Sequence, residues 1–326
     1  MGRGLGRDLG LTRTPREGPG CAALRPLSHQ ISTTMSSTKR VSTRRRVARH
    51  VAARPWLRLS GVLGPPLSWL LLAYIGALVA LLITSLHQEV TVGLITRRIT
   101  APGLDNFRRL IETPVYRSVT VRTVFAAVAV TVIDLALALP VAFYMAKVAS
   151  VGRRRALVIL VTMPLWAGYL VKTYAWSTLL NPESGFLREF VGATPGYGIG
   201  GSIVTLAYLW LPYMILPIYA GLDRLPDSLL EASTDLGGRA GRTFRSIVLP
   251  LLVPSIVAGS IFTFSLTLGD FYVNRIYGNK TQFIGNTIFS NFSANLPFAA
   301  AFSIVPILIM VAYLLLARGA GALEEL

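Results

Sequence analysis

Six apolar stretches, each long enough to cross a bilayer as a helix, constrain this chain more than any other feature of its sequence. They run approximately over residues 62–86, 121–146, 156–179, 203–222, 249–271 and 297–317, and about 20 apolar residues suffice for a transmembrane helix. Prolines inside these stretches, such as Pro140 and Pro212, do not exclude helices, because neighbouring helices satisfy the freed backbone groups. The pattern predicts an all-α, polytopic bundle of six transmembrane helices.

The composition excludes an ordinary soluble domain and gives no sign of metal or redox chemistry. Hydrophobic residues make up 52% of the 326 residues and charged residues 14%, with a mean hydropathy of +0.55. The one cysteine, Cys21, and three scattered histidines provide neither a disulfide framework nor metal-ligand spacing. We therefore expect no cofactor on this chain.

The net charge of +17 is concentrated before the first apolar stretch. Residues 1–60 hold 13 Lys and Arg residues and two acids, so they contribute +11. Their Gly-, Ser- and Arg-rich composition predicts a disordered cytoplasmic tail that acts as a topology signal or contacts anionic lipid headgroups. The tail lacks a nucleic-acid-binding motif, so nucleic acid is not an expected partner. Met35 is a candidate true start, and a real disordered extension before it is the alternative.

The distribution of Lys and Arg predicts the orientation of the spans. A cytoplasmic N-terminus places 22 of these residues inside and nine outside, as the positive-inside rule requires. Both termini of the membrane domain, residues 61–322, are then cytoplasmic in a multi-pass protein of the cell membrane. The first outer loop, with Arg97, Arg98, Arg108 and Arg109, is more basic than the rule prefers.

A polar segment, residues 223–250, separates the fourth and fifth spans and has the pattern of a short capped helix. Ser228 and Glu231 have the spacing of a capping box, and Gly237 and Gly238 suit a left-handed C-terminal cap. Small and apolar residues recur at helical spacing: Leu229, Ala232, Ser233 and Leu236. Such a helix either packs against its own protein or inserts into the groove of a partner.

The longer string Glu231-Ala232-Ser233-x3-Gly237-x9-Ile247-x-Leu249-Pro250 resembles the EAA loop of ABC importer permeases of the binding-protein-dependent type, with Ser233 in place of the second alanine. In that family the loop is a coupling helix that docks into the ATPase subunit. The resemblance implies a permease subunit whose partners are cytoplasmic ABC ATPase subunits, a second permease subunit and an extracytoplasmic solute-binding protein. The candidate coupling residues are Ser228, Glu231, Ala232, Ser233, Leu236, Gly237, Ile247, Leu249 and Pro250.

Two further strings, one from Pro164 to Trp176 and one from Leu211 to Leu222, resemble the PotB/PotH type of polyamine permease. That type usually carries Arg where this chain has Lys172. The similarity continues through Leu268-Gly-Asp270-Phe-Tyr and Ile284-Gly-Asn-Thr-Ile, so it covers nearly the whole membrane domain. It implies import of a spermidine- or putrescine-like solute, with a different solute for the same permease type as the alternative.

The chain has no Gly-Lys dipeptide, and hence no loop of the type that cradles nucleotide phosphates. It also has no Ser/His/Asp arrangement or paired catalytic carboxylates in or near the spans. We therefore expect a transport subunit that is not an enzyme, with ATP hydrolysis on a separate polypeptide.

Three ionisable residues fall within the apolar stretches, where such residues are costly and commonly functional. Lys172 and Asp270 are expected at similar depth, either as an ion pair or with a role in substrate passage or gating. Asp134 either faces the pathway, where it attracts a cation, or is buried against another subunit. One alternative of another class is a secondary transporter that uses these three residues as an ion relay. A receptor-like or structural membrane protein is a further alternative. The predicted coupling helix discriminates, because a self-contained carrier needs no helix that docks onto an ATPase.

Trp166, Tyr169, Thr173 and Trp176 have the spacing of one helix face in the third stretch. Aromatic faces bind ammonium groups through cation–π attraction, which suits a polyamine. Ordinary helix packing with an interfacial aromatic belt is the other reading. These four residues join Asp134, Lys172 and Asp270 as candidates for the translocation pathway.

Overall fold

The computed structural model describes residues 55–92, 95–99, 102–277 and 282–319, and most of these residues are helical. In chain order the helices are α1 (Pro55–Ser85), α2 (Asp105–Glu112), α3 (Pro114–Phe143), α4 (Val151–Trp166), α5 (Tyr169–Leu179), α6 (Phe186–Val191), α7 (Ile199–Arg224), α8 (Asp227–Asp235), α9 (Ala240–Thr243), α10 (Leu249–Leu268), α11 (Tyr272–Ile276), α12 (Ile284–Phe292) and α13 (Leu296–Gly319). Two π-helical turns, Tyr144–Val148 and Phe244–Val248, follow α3 and precede α10.

The described residues up to Pro66 and those from Leu67 onward belong to two separate units. The first helix begins at Pro55, within the last residues assigned to the basic tail. The rest of that predicted tail, including the candidate start at Met35, lies outside the described residues.

Within the described residues, five helical stretches are long and apolar enough to span a membrane. They are Val62–Ser85, Pro114–Val148, Ile199–Arg224, Ala240–Ile276 and Leu296–Arg318. Each contains one of the predicted apolar stretches or nearly all of it. The prediction of an all-α membrane bundle is therefore confirmed.

The remaining predicted span, the third along the chain at residues 156–179, is not one straight helix. It is divided between α4 and α5, whose axes meet at 94°. Ala167 and Gly168 adopt extended backbone conformations at the break. Pro164 removes a backbone N–H from the last turn of α4, and glycine is a poor helix former, so the helix is weakest here. If α4 and α5 together form one span that is broken in the middle, the described residues contain six spans.

The core is built where α3, α7 and α10 pack together. Ala138 and Ala142 on α3 are fully buried against Met214 and Ile218 on α7 and Leu252 on α10. The alanines leave room for close approach, which is how helices associate in a bilayer that provides no hydrophobic drive between them. In contrast, the side chains of α1 from Leu67 to Ile83 are nearly all exposed.

The loop after α1 contains a hairpin that the apolar pattern does not predict. Strand β1 (Gln88–Val92) pairs antiparallel with β2 (Ile95–Ile99). The buried Asn106 side chain on α2 donates hydrogen bonds to the carbonyl oxygens of Ser85, at 2.9 Å, and His87, at 2.8 Å. These bonds hold α2 against the end of α1.

Candidate functional site

The helix α8, in the segment that resembles the EAA loop, begins differently from the prediction. Its N-cap is Pro226, in an extended conformation, and no side chain forms a capping hydrogen bond. Ser228 and Glu231 therefore lie inside the helix, and the predicted capping box is wrong. The physical reason is that Asp227 is the first helical residue, so Ser228 is two positions past the N-cap, where a capping side chain acts.

The other end of α8 has the predicted left-handed cap. Gly237 has φ of +77°, and its N–H donates to the carbonyl oxygen of Thr234 at 2.9 Å. The N–H of Gly238 donates to the carbonyl oxygen of Ser233 at 2.8 Å. Together these bonds form a Schellman motif, which satisfies the last carbonyl groups of the helix and stops it sharply.

The stop leaves an apolar side chain pointing away from the protein. Leu236, at the C-cap, is 90% exposed, and Leu229, two turns earlier, is 40% exposed. An open pocket of about 390 Å³ lies between α8 and the turn that follows it, with Leu229, Leu236 and Ile247 in its lining. A hydrogen bond of 2.7 Å between the hydroxyl groups of Ser233 and Thr243 fixes α8 to α9. Glu231 and Ala232 are exposed.

The start of α8 is tied to the ends of α3 and α4. The Nζ atom of Lys147 donates to Oδ1 of Asp227 at 2.7 Å and to the carbonyl oxygen of Leu225 at 2.6 Å. The hydrogen bond and positive charge of Lys147 lower the pKa of the Asp227 carboxyl from its ordinary value. Nearby, Arg154 donates to Oδ1 of Asp223 at 2.8 Å. These contacts join residues about 70 to 80 positions apart, so helical spacing gave no sign of them.

A continuous run of aromatic rings starts at the opposite end of the bundle and reaches its middle. We call this run the aromatic row; in order of contact it consists of Tyr174, Tyr272, Tyr169, Trp210, Tyr213 and Phe262. Tyr169 and Trp210 are stacked, with centroids 6.0 Å apart and ring planes 10° apart. Each ring of the row is at least partly exposed in the single chain.

The carboxyl group of Asp270 lies beneath this row and is 7% exposed. It accepts a hydrogen bond from the Tyr169 hydroxyl group and one of 3.1 Å from the backbone N–H of Val273. The alternative of an ion pair between Lys172 and Asp270 is not realised among the described residues. Lys172 is half-buried and lies on α5 about one turn after Tyr169.

Asp134 lies on α3, fully buried inside the bundle of this chain. Neither carboxyl oxygen has a hydrogen-bond partner among the described residues. The sequence predicts that Asp134 either faces the pathway or is buried against another subunit. The structure instead buries it within its own chain. Buried carboxyl groups without partners are uncommon because their desolvation is not compensated.

The predicted aromatic face is only partly present. Trp166 ends α4 and is 89% exposed, so the bend at Gly168 separates it from the other three residues. Tyr169, Thr173 and Trp176 do share one face of α5, turned toward α7: Thr173 is buried and Trp176 lies 5.1 Å from the Tyr208 ring. Sequence spacing missed Trp210, Tyr213, Phe262 and Tyr272, because the row is assembled from four different helices.

Comparison with known proteins agrees with this architecture. A family model described as a binding-protein-dependent transport system inner membrane component matches residues 119–323. The chain is 41% identical over 295 residues to the inner membrane ABC transporter permease protein YdcU of Escherichia coli K12. The aligned region covers 83% of this chain and 92% of YdcU. It is 34% identical over 218 residues to the spermidine/putrescine transport system permease protein PotB of the same organism, covering 64% of this chain and 78% of PotB.

Solved structures share the fold. A chain of a bacterial ABC transporter involved in the import of the acidic polysaccharide alginate matches with a TM-score of 0.61 at 17% identity, covering 84% of this chain and 98% of that one. A second structure of a bacterial alginate transporter, in complex with a periplasmic protein bound to an alginate pentasaccharide, gives a TM-score of 0.62. The family match over most of the membrane domain, together with the relative at 41% identity, shows that this chain belongs to the inner membrane components of binding-protein-dependent transport systems.

Proposed function

We propose that this permease forms half of the translocation pathway of an ABC importer, that α8 docks onto a separate ATPase, and that the solute is a polyamine of the spermidine or putrescine class. In this proposal the α8 end of the bundle is cytoplasmic, together with both termini. The excess of Lys and Arg on that side supports the orientation. A second permease subunit and an extracytoplasmic solute-binding protein complete the importer.

The exposed Leu236 is the observation that carries the docking proposal. A large apolar side chain that is almost fully exposed on a rigid, capped helix is typical of an anchor residue, which is buried in a pocket of the partner protein. The Schellman motif fixes its position, and the small exposed Ala232 allows another surface to approach α8 closely. ATP hydrolysis belongs to the docked subunit, because this chain lacks a phosphate-cradling loop.

The aromatic row carries the substrate proposal. Aromatic faces attract organic ammonium groups, and the row leads from one end of the bundle toward its middle. Asp270 supplies a buried carboxyl group next to Tyr169. Relatives that are 34% identical are named for spermidine and putrescine transport. Together these features favour a cation over an anion.

A different solute for the same permease type is the second candidate. The observation that favours it is Lys172, which is half-buried near the row and has no ion pair with Asp270. An unpaired ammonium group lining the pathway would repel a cation. The secondary-transporter alternative is set aside, because this chain belongs to a family of binding-protein-dependent systems.

Uptake of labelled spermidine and putrescine, in cells with and without this chain, tests the substrate class. We expect deletion to abolish uptake and Trp210→Leu to weaken it, because a cation–π contact contributes about 0.5–2 kcal/mol. Trp69→Leu is the matched control, since Trp69 is 73% exposed on α1 and lies outside the row. Unchanged polyamine uptake after deletion, with loss of transport of a sugar, anion or amino acid, would refute the polyamine assignment and leave the permease assignment intact.

A further inference from the structure

Two basic side chains hold the junction of α7 and α8: Lys147 binds the first turn of α8, and Arg154 binds the last turn of α7. Lys147 lies in the π-helical turn after α3, and Arg154 in the first turn of α4. Their acidic partners are Asp227, the first residue of α8, and Asp223, in the last turn of α7. We call these four residues the basic clamp.

The bonds of the clamp are directed and multiple. The Lys147 side chain is only 9% exposed, and its ammonium group binds both a carboxylate and the Leu225 carbonyl oxygen. Arg154 binds Asp223 and also donates to the carbonyl oxygens of Met145, at 3.2 Å, and Ala146, at 2.5 Å. Charge-assisted hydrogen bonds of this kind are stronger and more restrictive in geometry than isolated surface ion pairs.

The basic clamp contacts the bundle at a π-helical turn, which contains Lys147. The π-helical turn Phe244–Val248 follows the segment that contains α8 along the chain, and the turn Tyr144–Val148 contacts the start of α8 through Lys147. The rings of Phe143 and Phe244, next to and within these turns, contact each other at 6.1 Å, edge to face. π-Helical turns often occur at functional sites, where a helix is able to change its register or direction.

A movement of α8 must therefore displace the end of α3 or break the clamp. We propose that Lys147 and Arg154 are positioning residues that carry the movement of the coupling helix to α3 and α4, and thereby link ATP hydrolysis to solute passage. This inference rests on the proposed docking of α8. It concerns how the signal leaves α8, whereas docking concerns how the ATPase binds.

The test uses the whole importer, purified and reconstituted in liposomes. It measures ATPase co-purification, the stimulation of ATP hydrolysis by the solute-binding protein, and uptake of labelled spermidine per ATP hydrolysed. We expect Lys147→Met to retain the ATPase but to lower the stimulation about fivefold or more, within the range typical of coupling between sites. Lys147→Arg should restore it, because a guanidinium group is able to bind both Leu225 and Asp227.

Asp227→Asn provides a second variant that is safe for folding, because the Asp227 side chain is 75% exposed. It should lower the stimulation less than Lys147→Met, since the bond to the Leu225 carbonyl oxygen remains. Combining the two should add little to Lys147→Met alone. Arg108→Met is the matched control, because it breaks the exposed ion pair with Glu112, 2.6 Å long and away from α8.

Normal stimulation in both Lys147→Met and Asp227→Asn would overturn the inference, as would fully additive losses in the double variant. Neither result would affect the docking of α8. The docking proposal fails separately, if the ATPase still co-purifies after Leu236 is replaced by arginine.

Discussion

At the scale of single residues, Leu236 is the side chain on which the docking proposal depends most. We expect Leu236→Arg to insert normally into the membrane and to lose the ATPase subunit on purification. An anchor residue at the centre of an interface typically contributes about 2 kcal/mol or more to binding. The measurement is the amount of ATPase that co-purifies with a tagged version of this chain.

Leu104→Arg is the matched control for this variant. Leu104 is 68% exposed at the N-cap of α2, in a loop between the first and second spans. Because this loop is on the side opposite the proposed docking site, the control should retain the ATPase. Equal retention by both variants would remove Leu236 from the interface.

Gly237 is required by the backbone that ends α8. Its φ of +77° lies in the left-handed region, where a side chain costs about 1–2 kcal/mol. Gly237→Ala should therefore weaken ATPase binding and lower the thermal stability of α8, measured by hydrogen exchange of its amides. Gly241→Ala is the control, because Gly241 is in α9 and a Cβ atom there meets nothing within 4 Å. Equal protection of the α8 amides in the two variants would contradict this role.

The stability that the Lys147–Asp227 pair contributes should depend on pH, because the Asp227 carboxyl group must be ionised to form the pair. Its pKa is lowered by the hydrogen bond from Lys147 and by the charge of that residue, below the ordinary value of 3.8. The stabilisation is therefore complete above the unfolded-state pKa and is lost as the pH falls through the lower folded-state pKa. The difference in thermal midpoint between the protein and Asp227→Asn should be constant near neutral pH and disappear in strong acid. A difference that grows in acid would contradict the pairing.

At the scale of secondary structure, α7 and α10 pack closely against each other at Gly259. A Cβ atom at Gly259 would lie 2.8 Å from the Met214 sulfur and 3.2 Å from its Cα atom. We expect Gly259→Ala to destabilise the purified protein by about 1–3 kcal/mol, the usual cost of overpacking, measured by thermal unfolding in detergent. Gly76→Ala on α1 has nothing within 4 Å and should be neutral or slightly stabilising. Destabilisation by both variants would point to a general helix effect.

The spans were predictable because hydropathy over a long window depends only on local sequence. The bend between α4 and α5 was not, because it is completed by contacts of Tyr169 with Trp210 and with Asp270, which is 101 residues away. The capping box failed for a related reason. Asp227 is held by Lys147, 80 residues away, and no local motif records such a contact. The Schellman stop at Gly237 was predictable, since glycine alone adopts the required backbone at little cost.

At the scale of the whole molecule, the described part of the chain contains the proposed coupling helix α8 and the aromatic row, whose rings are partly exposed. Closed symmetric oligomers most commonly pair two subunits, and in the proposed importer each of two such chains would provide one docking point. A second permease subunit would cover the row and turn it into the wall of a pathway. The proposed importer therefore needs two permease subunits, alike or different, and two docked ATPase subunits.

The mass of the complex that performs ATP-driven uptake tests this account most directly. Native mass spectrometry of the purified complex, on a sample that takes up solute in liposomes, counts its subunits. We expect two six-span permease subunits, at least one of them this chain, with two ATPase subunits. A complex that is active with a single copy of this chain as its only membrane subunit would contradict it.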